Sequence, residues 1–267
     1  MSETAVDSAG DAQAIAAGLA ARAKASSGQM AAADTAEKNA VLKGIAELLR
    51  GRASEILDAN ARDLEVGREL GLSQALMDRL RLTPDRIEAM AQGVEQVKAL
   101  PDPVGVEEPM GTGARPNGLE ISRVRIPLGV ICIIYESRPN VTIDAGALCL
   151  KSGNVPLLKG GKEAHHSNGI LVQLMRDALV SVGLPRDAVQ AVATSDRQVL
   201  SGLIRRPGEV DLVIPRGGEG LIRHVTENAT VPVIQHYKGV CHVYVDRSAD
   251  LAMATEIAVN AKIQRPG

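Results

Sequence analysis

The sequence has 267 residues, 30 basic and 32 acidic side chains, a net charge of −2 and three aromatic residues, all tyrosine. That balance supplies no positive field for a polyphosphate backbone and no aromatic platform for stacked bases, so nucleic acid is not an expected partner. No apolar run approaches the roughly 20 residues of a membrane span, and Glu3, Asp7 and Asp11 precede any basic residue, unlike a secretory leader; a cytoplasmic protein is expected.

In chain order, residues 1–33 are expected to be helical in part. Residues 34–100 read as a helical layer rich in Ala, Leu, Glu, Arg and Lys, with no proline before Pro84. Within it Val41, Ile45, Leu48 and Leu49, then Ala53, Ile56 and Leu57, recur at helical spacing. Asp34 and Thr35 stand where a cap would be, followed by Glu37. A second helix is predicted over residues 73–80. Thr83-Pro84-Asp85-Arg86 opens a third, with proline in its first turn. Residues 101–118 are rich in proline and glycine and read as a connection without regular structure. Residues 119–125 alternate apolar with polar, as an exposed strand would.

Residues 126–267 alternate short apolar runs with helical segments. The runs are 130–135, 155–158, 188–193, 212–214, 231–234 and 240–245. The helical segments are 141–151, 162–182, 197–205, 220–227 and 251–261. Several runs are apolar on both parities, as strands are when helices cover both faces of a sheet. The fold class predicted is α/β, a doubly wound and mostly parallel sheet with an N-terminal helical layer.

In open α/β sheets ligands lie beyond the carboxyl ends of the strands. There the sequence places Glu136-Ser137-Arg138-Pro139-Asn140, Lys159-Gly160-Gly161-Lys162 and Pro215-Arg216-Gly217-Gly218. Glycine lets a ligand approach the backbone, and Lys and Arg offset phosphate charge, so an anion such as a nucleotide is indicated. The alternatives are plain turns and solvated arginines. Lys162 is followed by Glu163, which rules out a P-loop, and the spaced glycines of a dinucleotide fingerprint are missing. His165-His166 point in different directions on a helix, and His224, His236 and His242 lack ligand spacing; surface or packing histidines are expected, and no metal. Cys132, Cys149 and Cys241 lie in apolar runs and are expected to be buried free thiols in a reducing compartment.

The strings Pro127-Leu128-Gly129-Val130, Tyr135 through Thr142, Leu148 through Asn154, Lys159 through Glu163, Ile214 through Gly218 and Asn260 through Pro266 resemble, in order, those of the gamma-glutamyl phosphate reductases (glutamate-5-semialdehyde dehydrogenases). These form a proline-biosynthesis branch of the aldehyde dehydrogenase superfamily, and the resemblance runs from about Asp34 to the end. It implies an aldehyde dehydrogenase-like cofactor domain and a thiolate that attacks L-glutamyl 5-phosphate and expels phosphate. Hydride from NADPH then gives glutamate 5-semialdehyde. By the same resemblance Asn140 is the oxyanion donor and Lys159 meets the adenosine ribose. Gly161, Gly217 and Gly218 lie along the cofactor. Lys162 replaces the acid of NAD-preferring relatives, which implies NADPH/NADP. Arg138 and Glu136 are candidates for substrate binding, with a structural ion pair as the alternative for Arg138. Gln235 falls near the position of a hydrolytic glutamate base. The family cysteine follows the Gln-Arg-Pro string, beyond Gly267, so the 267 residues alone are expected to be inactive, a nucleotide-binding module or a folding remnant. The resemblance admits association with glutamate 5-kinase and implies a homo-oligomer for the full-length protein.

Overall fold

The computed structural model describes residues 8–110, 117–194, 196–236 and 241–264. The chain divides into two units, Met1–Gln235 and His236–Gly267. The first begins with helices α1 (Ser8–Ala32), α2 (Thr35–Gly51), α3 (Ala53–Glu69), α4 (Gln74–Leu80) and α5 (Pro84–Ala99). Their starts are encoded locally. The Asp34 side chain accepts from Glu37 N, and Glu37 in return accepts from Asp34 N, both at 2.8 Å. This capping box satisfies two amides that the helix itself cannot, and such caps contribute about 1 kcal/mol. Ser73 and Thr83 cap α4 and α5 with a single side-chain bond each, accepting from Leu76 N and Arg86 N, with Pro84 at the first position of α5. The apolar stripe of α2, which includes Val41, Leu42, Ile45 and Leu49, is buried.

Next come the strands β1 (Glu107–Pro109) and β2 (Ser122–Val124), an antiparallel pair with Glu107 opposite Val124. β1 corrects the reading of residues 101–118 as wholly irregular. Its polar, largely exposed side chains leave no pattern, and it is defined by backbone pairing to a strand beyond the glycine-rich stretch. The order then runs β3 (Val130–Tyr135), α6 (Pro139–Lys151), β4 (Val155–Lys159), α7 (His165–Ser181), β5 (Gln190–Ala191), α8 (Arg197–Leu203), β6 (Leu212–Arg216) and α9 (Glu219–Asn228). The sheet order is β5-β4-β3-β6, every pairing parallel. All six residues of β3 are buried. Because side chains alternate across a strand, helices must cover both faces of the sheet.

The run 188–193 yields only the two-residue β5, since residues 186–188 after Pro185 are drawn into a 3-10 turn. The expected strand at 231–234 is not formed. It contributes a single bridge, Val213 to Val233, and Pro232 has no N–H with which to continue a ladder. The second unit contains helix α10 (Leu251–Ile263). Of the expected strand at 240–245, Val240 lies outside the described residues, and Cys241 through Val245 form no ladder. Val243, Tyr244 and Val245 are exposed. Cys132 and Cys149 are buried as expected, but Cys241 is exposed because its segment packs into no sheet. No helix among the described residues is long and apolar enough to cross a membrane.

Several polar groups inside the first unit are paired, while the buried Arg206 Nε has no hydrogen-bond partner among the described residues. Lys38 meets Asp102 at 2.6 Å, and Lys151 donates to Asn39 Oδ1 and Lys98 O at 2.7 and 2.9 Å. At the amino end of the sheet Asp211 accepts from Val130 N at 2.8 Å and from Lys24 Nζ at 3.0 and 3.1 Å. Gly129 beside it has φ +117°, and a Cβ there would lie 2.2 Å from Asp211 Oδ2. Only glycine fits both demands.

Candidate functional site

The parallel register brings three chain ends to one edge. Ile134 of β3 lies beside Lys159 of β4 and Pro215 of β6, and Tyr135 lies beside Arg216. The segments that follow β3, β4 and β6 therefore leave the sheet side by side. A cavity of about 470 Å³ opens at the ends of β3, β4 and β5, within the roughly 300–1,000 Å³ usual for small-molecule sites. Its wall includes Tyr135, Lys159 through Lys162, His165, Asn168 and Thr194.

The wall is held by hydrogen bonds between elements. Tyr135 OH lies 2.7 Å from Thr142 Oγ1, which donates to Asn168 Oδ1 at 2.8 Å, so the phenol is the donor to Thr142. Burial pushes the Tyr135 phenol up to about 12, with the bond to Thr142 opposing. Lys159 Nζ donates to Gly160 O at 3.0 Å. Burial lowers the Lys159 ammonium below its ordinary value, and Glu163 partly offsets this. Glu163 Oε1 accepts from Ser137 N at 2.9 Å and from the Ser137 hydroxyl, tying the β4 turn to the segment after β3. A Cβ at Gly160 would lie 2.1 Å from Asn168 Nδ2, and one at Gly161 2.0 Å from Glu163 Oε1. The two glycines thus make room for side chains of the wall itself, a role the sequence reading had given to a ligand.

The residues singled out from the sequence fall into two groups. Lys159, Gly161 and Lys162 line the cavity. Asn140, Glu136, Arg138, Gly217 and Gly218 stand at the neighbouring ends of β3 and β6, outside that wall. Asn140 Nδ2 donates to Asp144 Oδ2 at 3.0 Å, while burial raises the Asp144 carboxyl and that bond opposes the rise. Glu136 Oε1 accepts from Gly218 N at 3.2 Å, which joins the β3 and β6 ends. Arg138 is exposed and forms no ion pair among the described residues. Gln235 is exposed and accepts from Thr226 Oγ1.

A model of the aldehyde dehydrogenase family matches residues 3–267. This chain belongs to the aldehyde dehydrogenase family. Among curated relatives, the gamma-glutamyl phosphate reductase of Nitratidesulfovibrio vulgaris (strain DP4) is 55% identical over 246 residues, covering 92% of this chain and 58% of the relative. The crystal structure of gamma-glutamyl phosphate reductase from Thermotoga maritima superposes with a TM-score of 0.86 at 46% identity, covering 94% of this chain and 60% of that one. The Saccharomyces cerevisiae gamma-glutamyl phosphate reductase gives 0.75 at 32% identity, covering 94% and 64%. The chain therefore spans about 58% of the N. vulgaris relative. Membership in the aldehyde dehydrogenase family implies a nicotinamide cofactor. The donor set fits such a group, because Lys159 and Lys162 share one cavity with the amide of Asn168 and the hydroxyl of Thr194, as an adenosine with its phosphates requires.

Sequence reasoning missed Asn168, Thr194 and the cavity position of His165. Asn168 and Thr194 carry no motif, and they reach the site only because β4, α7 and β5 are adjacent. His165 beside His166 lacks metal-ligand spacing, so from sequence it reads as a surface or packing residue.

Proposed function

We propose that this chain carries the NADPH-binding part of an enzyme that reduces L-glutamyl 5-phosphate to L-glutamate 5-semialdehyde with release of phosphate. The observation that carries the nucleotide half is the pairing of Lys159 with Lys162 in the wall of one cavity at the carboxyl edge of the sheet. The names and identities of the relatives support the substrate half. Lys159 is assigned to the ribose of the adenosine and Lys162 to a 2′-phosphate, with Gly217 and Gly218 along the pyrophosphate. The cofactor, when bound, supplies hydride.

Asn140 is assigned to the carbonyl oxygen of the substrate. Its Nδ2 carries two N–H groups, and one of them is fixed by Asp144, which orients the other toward a developing oxyanion. A donor so placed contributes about 2.7–4 kcal/mol in comparable sites. Exposed Arg138 is assigned to a phosphate or carboxylate of the substrate. Cys132 and Cys149 do not fit the nucleophile, because burial pushes both thiols up to about 12. On these residues alone the chain binds nucleotide without turnover. Unpaired buried thiols fit a reducing, cytoplasmic setting.

Two measurements test this reading. Titration of the purified chain with NADPH gives saturable binding, and absence of binding overturns the nucleotide half. A chimera joining this chain to the remainder of the Thermotoga maritima reductase reduces NADP when given glutamate 5-semialdehyde and phosphate. A chimera that binds NADPH but stays inert overturns the substrate half. Robust turnover by the 267-residue chain alone overturns the expectation that it binds nucleotide without turnover.

A further inference from the structure

An anion at the end of a parallel strand is ordinarily held by the free amides at the start of the next helix. Two of those of α7 are already engaged. His166 N and Ser167 N donate to the two oxygens of Asp63 at 3.0 and 2.7 Å, and Asp63 itself is only 2% exposed. A fixed carboxylate thus sits at the helix start, where a phosphate would otherwise settle. Recognition of negative charge in this cavity falls to side chains. Three cationic or cation-forming side chains line the wall, Lys159, Lys162 and His165. Lys159 Nζ is turned onto Gly160 O. Lys162 and His165 flank the short turn before α7, are both exposed, and form no ion pair among the described residues. The nearby acid Glu163 is engaged by Ser137. The imidazole of His165 stands edge-on to His166, with ring centroids 5.3 Å apart.

We propose that His165, together with Lys162, holds the 2′-phosphate of the nucleotide and so sets the preference for NADPH over NADH. This rests on the nucleotide reading above and adds a residue to it. An imidazole donates one hydrogen bond when neutral and two, with a charge, when protonated beside a dianion.

The test is a pair of titrations of the purified chain with NADPH and with NADH, for the wild type, His165→Asn and His165→Lys. His165→Asn weakens NADPH binding about tenfold and leaves NADH within about twofold, the loss expected for one charge-assisted hydrogen bond. His165→Lys retains the preference. Displacement by 2′-AMP and by 5′-AMP follows the same pattern, which assigns the loss to the phosphate. Equal weakening of both nucleotides, or no change in either, overturns the role of His165 and leaves the nucleotide reading standing. A wild-type chain that binds NADPH and NADH alike also overturns it. A wild-type chain that binds neither overturns both.

Discussion

The two edges of the parallel sheet use polar residues in opposite ways. At the amino edge Asp211 accepts from Val130 N and Lys24, and Gly129 N donates to Asn154 Oδ1 at 2.9 Å. At the carboxyl edge Lys162, Arg138 and Arg216 are exposed, and none forms an ion pair among the described residues. The first edge spends its polar groups on holding the strands together. The second keeps charge available to a ligand, at some cost in local stability. Damage at the amino edge should therefore appear in unfolding, and loss of an exposed cation at the carboxyl edge in binding.

The largest effect is expected from Gly129→Ala. The added methyl meets Asp211 in a backbone region hostile to L side chains, so chemical denaturation should show a loss of about 2–4 kcal/mol. A loss under about 0.5 kcal/mol would mean that Asp211 is free to move. Asp63→Ala should follow, at about 2–3 kcal/mol, because one buried and one half-buried amide of α7 lose their acceptor. The same denaturation assay measures it.

The pH dependence of stability comes next. Cys132 and Cys149 are held up to about 12 by burial, while an unfolded thiol titrates near 8.5. Their contribution is therefore complete below about pH 8.5 and is lost as pH rises toward 12, at up to about 1.4 kcal/mol per pH unit per thiol. A Cys132→Ala, Cys149→Ala double variant should show a flatter profile there than the wild type, and superimposable slopes would refute the linkage. The smallest stability change belongs to Lys162→Ala, within about 0.5 kcal/mol for an exposed side chain, alongside a roughly tenfold weaker NADPH affinity by fluorescence titration. If Lys162→Ala unfolded the protein instead, the contrast between the edges would not stand.

The order of helices and parallel strands was legible in the sequence because the signals are local. Residues 130–135 are apolar throughout and follow Gly129, and Asp34 with Glu37 marks the start of α2. Lys159, Gly161 and Lys162 were readable for a related reason, since a strand end marks where a ligand can sit. What could not be read depends on partners far apart in the chain. Asp63 finds its amides 103 and 104 residues away, and Lys151 reaches Asn39 across 112. Residues 231–234 and 240–245 failed as strands because an apolar run states only that burial is favourable. It does not state that a neighbour with free N–H and C=O groups is at hand.

Asp63 carries a consequence for how the molecule assembles. The residue belongs to α3, yet it completes the first turn of α7, which lies between β4 and β5 in the chain. The helix that walls the cavity cannot satisfy its own backbone until the preceding helices have docked. Melting of one should then drag the other with it, so this unit is expected to come apart in a single cooperative step, without a stage in which the sheet survives unaccompanied.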